Sequence, residues 1–476
     1  MEYLLEAVSP QLQYLGIKLN NRDKVSIASG KIYAVVGANG SGKTTLANIL
    51  SKGWNIGMNK ILGDKKSLKI KTIEFSDIHS LTGCKDSYYQ QRFEAAMNDD
   101  IPTVGDLIRG KIGEETWQTL CNRLSLQSID HKAINCLSSG ELRKFLIVNL
   151  LSENPNILIL DNPYIGLDAP SRDLLDELLL HIAKSGTAVM LLLCNPTDIP
   201  QFTNYIIPIE NLTILPTIDI SQTDIATAIK STESLFPQKG LGEIPVNEHH
   251  ADSNFANAFE LHDCKVKYGQ TTILEHVDWM VKRGERWALL GANGAGKSTL
   301  LSLVCADNPQ SYSNNITLFD RRRGTGESIW DIKRRIGYLS PERHLYFRDA
   351  RDVTAVVASG LRDTVGMYVH EPQAAKELAS KWLATFGLEN LASRRFDTLS
   401  SGEQRLVLLM RTLIKNPPVL ILDEPLHGLD AINKQLAKSV IEKTVMENNA
   451  TLVYVTHYQN EIPSIVDKVK ILTKHI

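Results

Sequence analysis

Paired cysteines are missing from this chain. Its six cysteines (Cys84, Cys121, Cys136, Cys194, Cys264 and Cys305) are scattered without a C-x-x-C pair, which excludes a disulfide framework and a thiolate zinc site. An excess of charge of one sign is missing too: 52 Lys and Arg stand against 54 Asp and Glu, a net charge of −2. A surface that coats nucleic acid or an acidic membrane is therefore not expected. No apolar run approaches the ~18 residues of a membrane span, and the longest, such as 188–194, are strand-length. The first residues, MEYLLEAVSP, carry Glu2 and Glu6 where a signal peptide would carry positive charge. The expectation is a soluble, cytoplasmic chain whose membrane role, if it has one, is peripheral on the inner face and supplied by a partner.

What the chain has in abundance is itself. Residues 30–46 read GKIYAVVGANGSGKTTL and residues 284–300 read GERWALLGANGAGKSTL, an offset of 254. LSSGE at 137–141 returns at 399–403, and ILILDNPYIGLD at 157–168 returns as VLILDEPLHGLD at 419–430, both at an offset of 262. The second half therefore carries eight extra residues between the first motif and the second, and from the second motif onward the halves are expected to align without a gap. The organisation is a first domain over 1–220, a linker over 221–258 and a second domain over 259–476. The linker stretch holds Pro237, Gly240, Gly242, Pro245 and a polar run that includes His249 and His250, with no helical or strand period. Runs at 32–36, 157–160, 188–194, 288–290, 419–422 and 451–456 are apolar without alternation. Strands of that kind are buried on both faces, so each half is read as α/β with a mostly parallel core sheet under helices.

Gly37-Ala38-Asn39-Gly40-Ser41-Gly42-Lys43-Thr44-Thr45 and Gly291-Ala292-Asn293-Gly294-Ala295-Gly296-Lys297-Ser298-Thr299 both fit G-x-x-x-x-G-K-[ST] between a strand and a helix. Glycines let backbone amides wrap the phosphates of a nucleotide, and the helix N-terminus adds a favourable dipole. Lys43 and Lys297 would reach the β and γ phosphates, while Thr44 and Ser298 would hold Mg²⁺. Asp161 and Asp423 end apolar strands and are placed to act behind the same Mg²⁺.

Phosphate loop, an LSSGE close to LSGGQ, an apolar strand ending in Asp and then GLD together resemble the ABC-type ATPase cassette, twice over. Residues 291–340 are similar to the ModF type, a soluble tandem ATPase associated with bacterial molybdate transport and sometimes labelled a photorepair protein. The resemblance implies two P-loop nucleotide-binding domains, each with a helical signature subdomain, ATP as substrate and Mg²⁺ as cofactor. It also implies that cassettes pair head to tail, within one chain or between two. Ser138 and Gly140 would then close over ATP held by the second half, and Ser400 and Gly402 over ATP held by the first. Ser139 and Ser401 stand where the family has glycine, and Glu141 and Glu403 where it has glutamine. The glutamine loop is absent as well: its position after the strand at 336–339 is Pro341, and none is found near 74–78.

The resemblance makes the two sites unequal. Glu424 follows Asp423 and is placed to take a proton from, or orient, the attacking water; its partner in the first half is Asn162. His457 would contact the γ-phosphate, and the ungapped offset pairs it with Asn195. The second site (Lys297, Ser298, Asp423, Glu424, His457) is expected to hydrolyse ATP and the first to hold it, with slow hydrolysis positioned by Asn162 as the open alternative. Tyr268, 23 residues before Gly291, matches an adenine-stacking aromatic; Tyr14 has the same spacing before Gly37 in poorly matching sequence and is read as core or surface. Arg321–Arg323 with Lys333, Arg334 and Arg335 form one basic patch, read as a solvated face, with contact to a nucleic acid or an acidic partner as the alternative; no aromatics interleave for base stacking. The implied role is to energise or regulate small-solute transport, molybdate in the ModF-type reading, with separate membrane permease subunits. The alternative is a non-transport ABC ATPase acting on translation or DNA repair.

Overall fold

The computed structural model describes residues 3–74, 102–112, 114–115, 117–118, 121, 129–132, 145–150, 153–164, 167, 169–236, 240, 242–245, 254–269, 271–291, 294–341, 347, 349–362, 371–456 and 458–473. The chain divides into two compact units. Among the described residues the first holds those up to Phe236 together with Leu429–Ile432, and the second holds the rest from Gly240 on.

The first unit is built on five parallel strands in the spatial order Ile70–Glu74, Ile157–Asp161, Ala188–Leu193, Ile32–Val36 and Tyr205–Glu210. The second repeats that order with Ile336–Leu339, Val419–Asp423, Thr451–Val455, Arg286–Leu290 and Lys468–Ile471. All six residues of Ala188–Leu193 and all five of Val419–Asp423 and Thr451–Val455 are buried. This is what non-alternating Leu, Ile and Val runs require of a strand covered on both faces. Each unit also carries an antiparallel layer: Val25–Ala28, Tyr3–Ala7 and Ile61–Leu62 in the first, and a sheet led by the long hairpin Asn257–Tyr268 and Thr271–Lys282 in the second. The α/β reading, twice over, is observed.

Two sequence expectations need adjustment. Ile225–Thr232, inside the stretch read as linker, is a helix of the first unit, capped by Asp224 accepting from the Thr227 amide. Ile225, Ala228 and Ile229 give it an i, i+3, i+4 apolar face over only two turns; the cap starts it, and Ala228 and Ile229 pack into the core. The second adjustment concerns register. Ile157 pairs with Ala188, but Val419 pairs with Thr451, so the second unit has one residue more between these strands. The helices that connect them show where it went: Ala169–Lys184 spans 16 residues and Ala431–Glu447 spans 17. The ungapped alignment holds through the start of the connecting helix, Ala169 against Ala431, and slips by one before the next strand.

Candidate functional site

In both units the loop after the Ile32–Val36 or Arg286–Leu290 strand turns directly into a helix, Lys43–Lys52 or Lys297–Val304. The turn is made by Gly42 at φ 111° and Gly296 at φ 91°. That left-handed backbone suits glycine alone, and a Cβ there would lie 2.6 Å from a Leu19 methyl or 2.7 Å from a Leu274 methyl. The helix N-terminus so formed presents its unbonded amides toward the loop.

Lys43 Nζ donates to the carbonyls of Gly37 and Ala38, each at 2.8 Å, and Lys297 Nζ to Gly291 O at 2.8 Å. Both lysines are buried. Burial pulls the Lys43 ammonium below its ordinary range, and nearby acidic groups, Asp161 among them, act in the opposite sense. Thr44 Oγ1 donates to Asp161 Oδ2 at 3.0 Å and Ser298 Oγ to Asp423 Oδ2 at 3.2 Å. Burial raises the Asp161 carboxyl, against the opposing pull of Lys43 and of hydrogen bonds from Thr44 and Asn162. A hydroxyl and a carboxylate at this spacing are hard oxygen donors of the kind Mg²⁺ takes while keeping waters and phosphate oxygens, so the residues fit that ion.

Beyond the shared frame the sites differ. Glu424 and Asn162 both sit in left-handed backbone, at φ 46° and 48°, and each amide donates at 2.9 Å to the neighbouring strand, to Val455 O and Leu192 O. The backbone puts the two side chains in matching places. Asn162 is tied down: Nδ2 donates to Asp161 Oδ1 at 2.8 Å and Oδ1 accepts from the Cys194 amide at 3.2 Å. Glu424 Oε2 instead accepts from His427 Nδ1 at 2.9 Å. The buried Arg405, from the helix Ser401–Leu413, reaches under the turn to the carbonyls of Asp423, Glu424 and Pro425. Burial pushes its guanidinium down to about 10, with Glu424 and Asp423 opposing.

The register slip corrects the expected partner of His457. Asn195 is the residue just before the short turn Pro196–Asp198, and its counterpart is Tyr458, just before Gln459–Glu461. Arg172 reaches Asp198 at 2.8 Å as Lys434 reaches Glu461 at 2.6 Å, which seals the match. Counting back one residue, Cys194 and not Asn195 stands at the His457 position. Asn195 Nδ2 donates to Asp198 Oδ2 at 3.4 Å and to Cys194 Sγ and Leu429 O at 3.5 Å each, contacts that hold it within the turn. His457, Ser138, Gly140, Ala292 and Asn293 lie outside the described residues.

At the second signature, Glu403 acquires a reason. Its carboxylate accepts from the Ser400 amide and hydroxyl at 2.8 and 2.7 Å, a capping box that starts the helix holding Gly402. Tyr268 ends a strand, with its ring half-buried against the core and its hydroxyl accepting from Asn308 at 2.9 Å. Tyr14 occupies the matching hairpin end in the first unit: it pairs with Ile17 as Tyr268 pairs with Thr271, and Leu19 then abuts Gly42 as Leu274 abuts Gly296. Tyr14 is half-buried against the core of its unit, in keeping with its reading as core or surface.

Comparison with known proteins agrees with this geometry. A family model described as ABC transporter matches residues 20–165 and 274–427. The chain is 33% identical over 93% of its length to the ABC transporter ATP-binding protein ModF of Escherichia coli K12, covering 91% of that protein. It is 27% identical over 93% to an uncharacterized ABC transporter ATP-binding protein of Schizosaccharomyces pombe, covering 92% of it. Among solved structures, a model of ribosome-bound archaeal Pelota and ABCE1 contains a chain of similar fold, with TM-score 0.64 at 17% identity, spanning 97% of this chain and 76% of that one. With two matched cassettes and full-length kinship to ATP-binding proteins, the chain belongs to the ABC transporter family as a tandem ATPase.

Proposed function

We propose that the two cassettes divide the work: the second hydrolyses ATP and the first holds it. The observation that carries this reading is the pair of left-handed positions after the strand-ending aspartates, where matching backbone presents a carboxylate at Glu424 and an amide at Asn162. A carboxylate can accept a proton from water as it attacks the γ-phosphate; an amide can only orient that water. General-base assistance is worth about 10²–10⁴-fold in rate.

In the hydrolytic site the amides of the loop at 291–297 wrap the phosphates, and Lys297 moves from its Gly291 carbonyl to the phosphate oxygens when nucleotide enters. Mg²⁺, when bound, would be held by Ser298 and Asp423 here, and by Thr44 and Asp161 in the first cassette, neutralising phosphate charge. His457 supports the γ-phosphate, and Ser138 and Gly140 close over the nucleotide. In the holding site Lys43, Thr44 and Asp161 bind, Ser400 and Gly402 close, and Tyr14 stacks on adenine as Tyr268 does in the second. The first cassette has Asn162 and Cys194 where the second has Glu424 and His457, so base and γ-phosphate contact are missing together. ATP resting there stabilises the closed pair by mass action.

Kinship to ModF supports coupling of this cycle to small-solute transport, molybdate in the ModF-type reading, through separate permease subunits. The test is steady-state turnover of wild type, Lys297→Ala and Lys43→Ala, with retained nucleotide quantified after gel filtration. Lys297→Ala should abolish turnover while Lys43→Ala mainly loses retained ATP. Half the activity left in each variant would refute the division.

A further inference from the structure

We propose that His427 is a positioning residue for the hydrolytic site, anchoring the Glu424 carboxylate to take a proton from the attacking water; the inference rests on Glu424 being the base. Glutamate has three side-chain torsions, and a base that wanders among rotamers spends little time in line with its water. Here the wandering is checked at both ends. The backbone of Glu424 is fixed by its amide bond to Val455 O and by Arg405 capping its carbonyl from below. The carboxylate is fixed by His427 Nδ1 at 2.9 Å from Oε2. A carboxylate only accepts, so Nδ1 carries the proton, which sets the tautomer of the ring.

The contact belongs to a closed local turn, because the His427 amide also donates to Glu424 O at 3.1 Å. Both side chains are about a fifth exposed, so the pair is neither a sealed core contact nor a solvated surface one. With Oε2 committed to the imidazole, the direction of Oε1 is set by the same bond. The chain supplies its own comparison: where Asn162 replaces Glu424, Ile165 replaces His427 at the same three-residue spacing. A site without a base has no carboxylate to anchor, and base and anchor are exchanged together.

The experiment uses the full-length protein and ATP with Mg²⁺. His427→Ile, which reproduces the first cassette, should lower kcat about tenfold, the loss expected when one hydrogen bond orienting a reacting group is removed. KM for ATP and the melting temperature should stay near wild type. His427→Gln, whose amide donates to a carboxylate without titrating, should recover most of kcat; a residue that only packs would not separate these two variants. Adding His427→Ile to Glu424→Gln should cost nothing further. Unchanged kcat in His427→Ile beside abolished turnover in Glu424→Gln would overturn the role of His427 and leave the base assignment standing. Full turnover in Glu424→Gln would overturn both.

Discussion

Replacing Glu424 by Asn should stabilise the second cassette relative to replacement by Ala, although both changes abolish its turnover. Glu424 holds φ at 46°, in a region where an ordinary L-residue costs about 1–2 kcal/mol and Asn much less. Its first-cassette counterpart at φ 48° is already Asn, which uses the conformation to bond Asp161 Oδ1 at 2.8 Å and the Cys194 amide at 3.2 Å. Glu424→Ala and Glu424→Asn both lose the His427 contact and the charge beside Asp423, so those losses cancel in the comparison. What remains is backbone relief of about 1 kcal/mol, plus whatever bonds the new amide makes. For a cassette of this size, 1 kcal/mol moves the melting temperature by about 2–4 °C. Scanning calorimetry of the nucleotide-free variants, with turnover checked to be about 10²–10⁴-fold down in each, makes the comparison. If the Ala variant melts at or above the Asn variant, the left-handed position is not strained and the explanation for Asn162 as the relaxed residue fails.

Three further outcomes are expected. In a Lys297→Ala background, Asn162→Glu with Cys194→His should give at least tenfold more turnover than Asn162→Glu with Asn195→His, because the register places residue 194 opposite His457; the buried Cys194 makes about 1–3 kcal/mol of overpacking the accompanying cost in a thermal melt. Tyr14→Leu should keep the packing of the hairpin but weaken ATP retention by the first cassette about fivefold or more in equilibrium dialysis, the loss of one aromatic–base stack. Burial alone would raise the Asp349 carboxyl, but bonds from Arg351 at 2.6 and 3.0 Å hold it below its ordinary value of 3.8. The contribution of this pair is therefore complete above that value and lost as pH falls through the lower, folded one. Asp349→Asn should cost about 2–3 kcal/mol in denaturant titrations at pH 7, a gap that closes as the pH falls through the lowered folded-state value.

Much of this molecule is written in short segments. A phosphate loop is legible because each residue does a local job: glycine makes the left-handed turn at Gly42 and Gly296, and the lysine follows as the first residue of the helix. The parallel strands are legible because burial on both faces leaves only apolar residues. Contacts a few residues apart that match no named motif were not legible. His427 lies three residues from Glu424 inside VLILDEPLHGLD, yet nothing in the spacing said that its ring turns back to the carboxylate. Arg405 is far from Glu424 in sequence, and only the packing of the signature helix under that turn brings them together.

The error over Asn195 has a physical cause that bears on the division between the sites. A residue added inside a strand would flip every later side chain to the other face, and strands such as Ala188–Leu193 leave no room for that. A residue added to a connecting helix is absorbed where the helix ends: Ala431–Glu447 runs one residue longer and the strand after it starts in register. The frame of each cassette is thus insulated from the insertion, and the binding geometry is equal in both. Lysine bonds to the first loop glycine span 2.8 Å in each, and hydroxyl–carboxylate pairs span 3.0 and 3.2 Å. A cassette losing its function at random would lose binding and catalysis alike, since loop, lysine and aspartate are as easily altered as the base. The first cassette keeps the phosphate loop, Lys43, Thr44 and Asp161, and under the proposed division it differs at the base and the γ-phosphate contact, with Asn162 for Glu424, Ile165 for His427 and Cys194 for His457. Differences confined to the groups that act only during turnover are what a site kept for holding ATP requires.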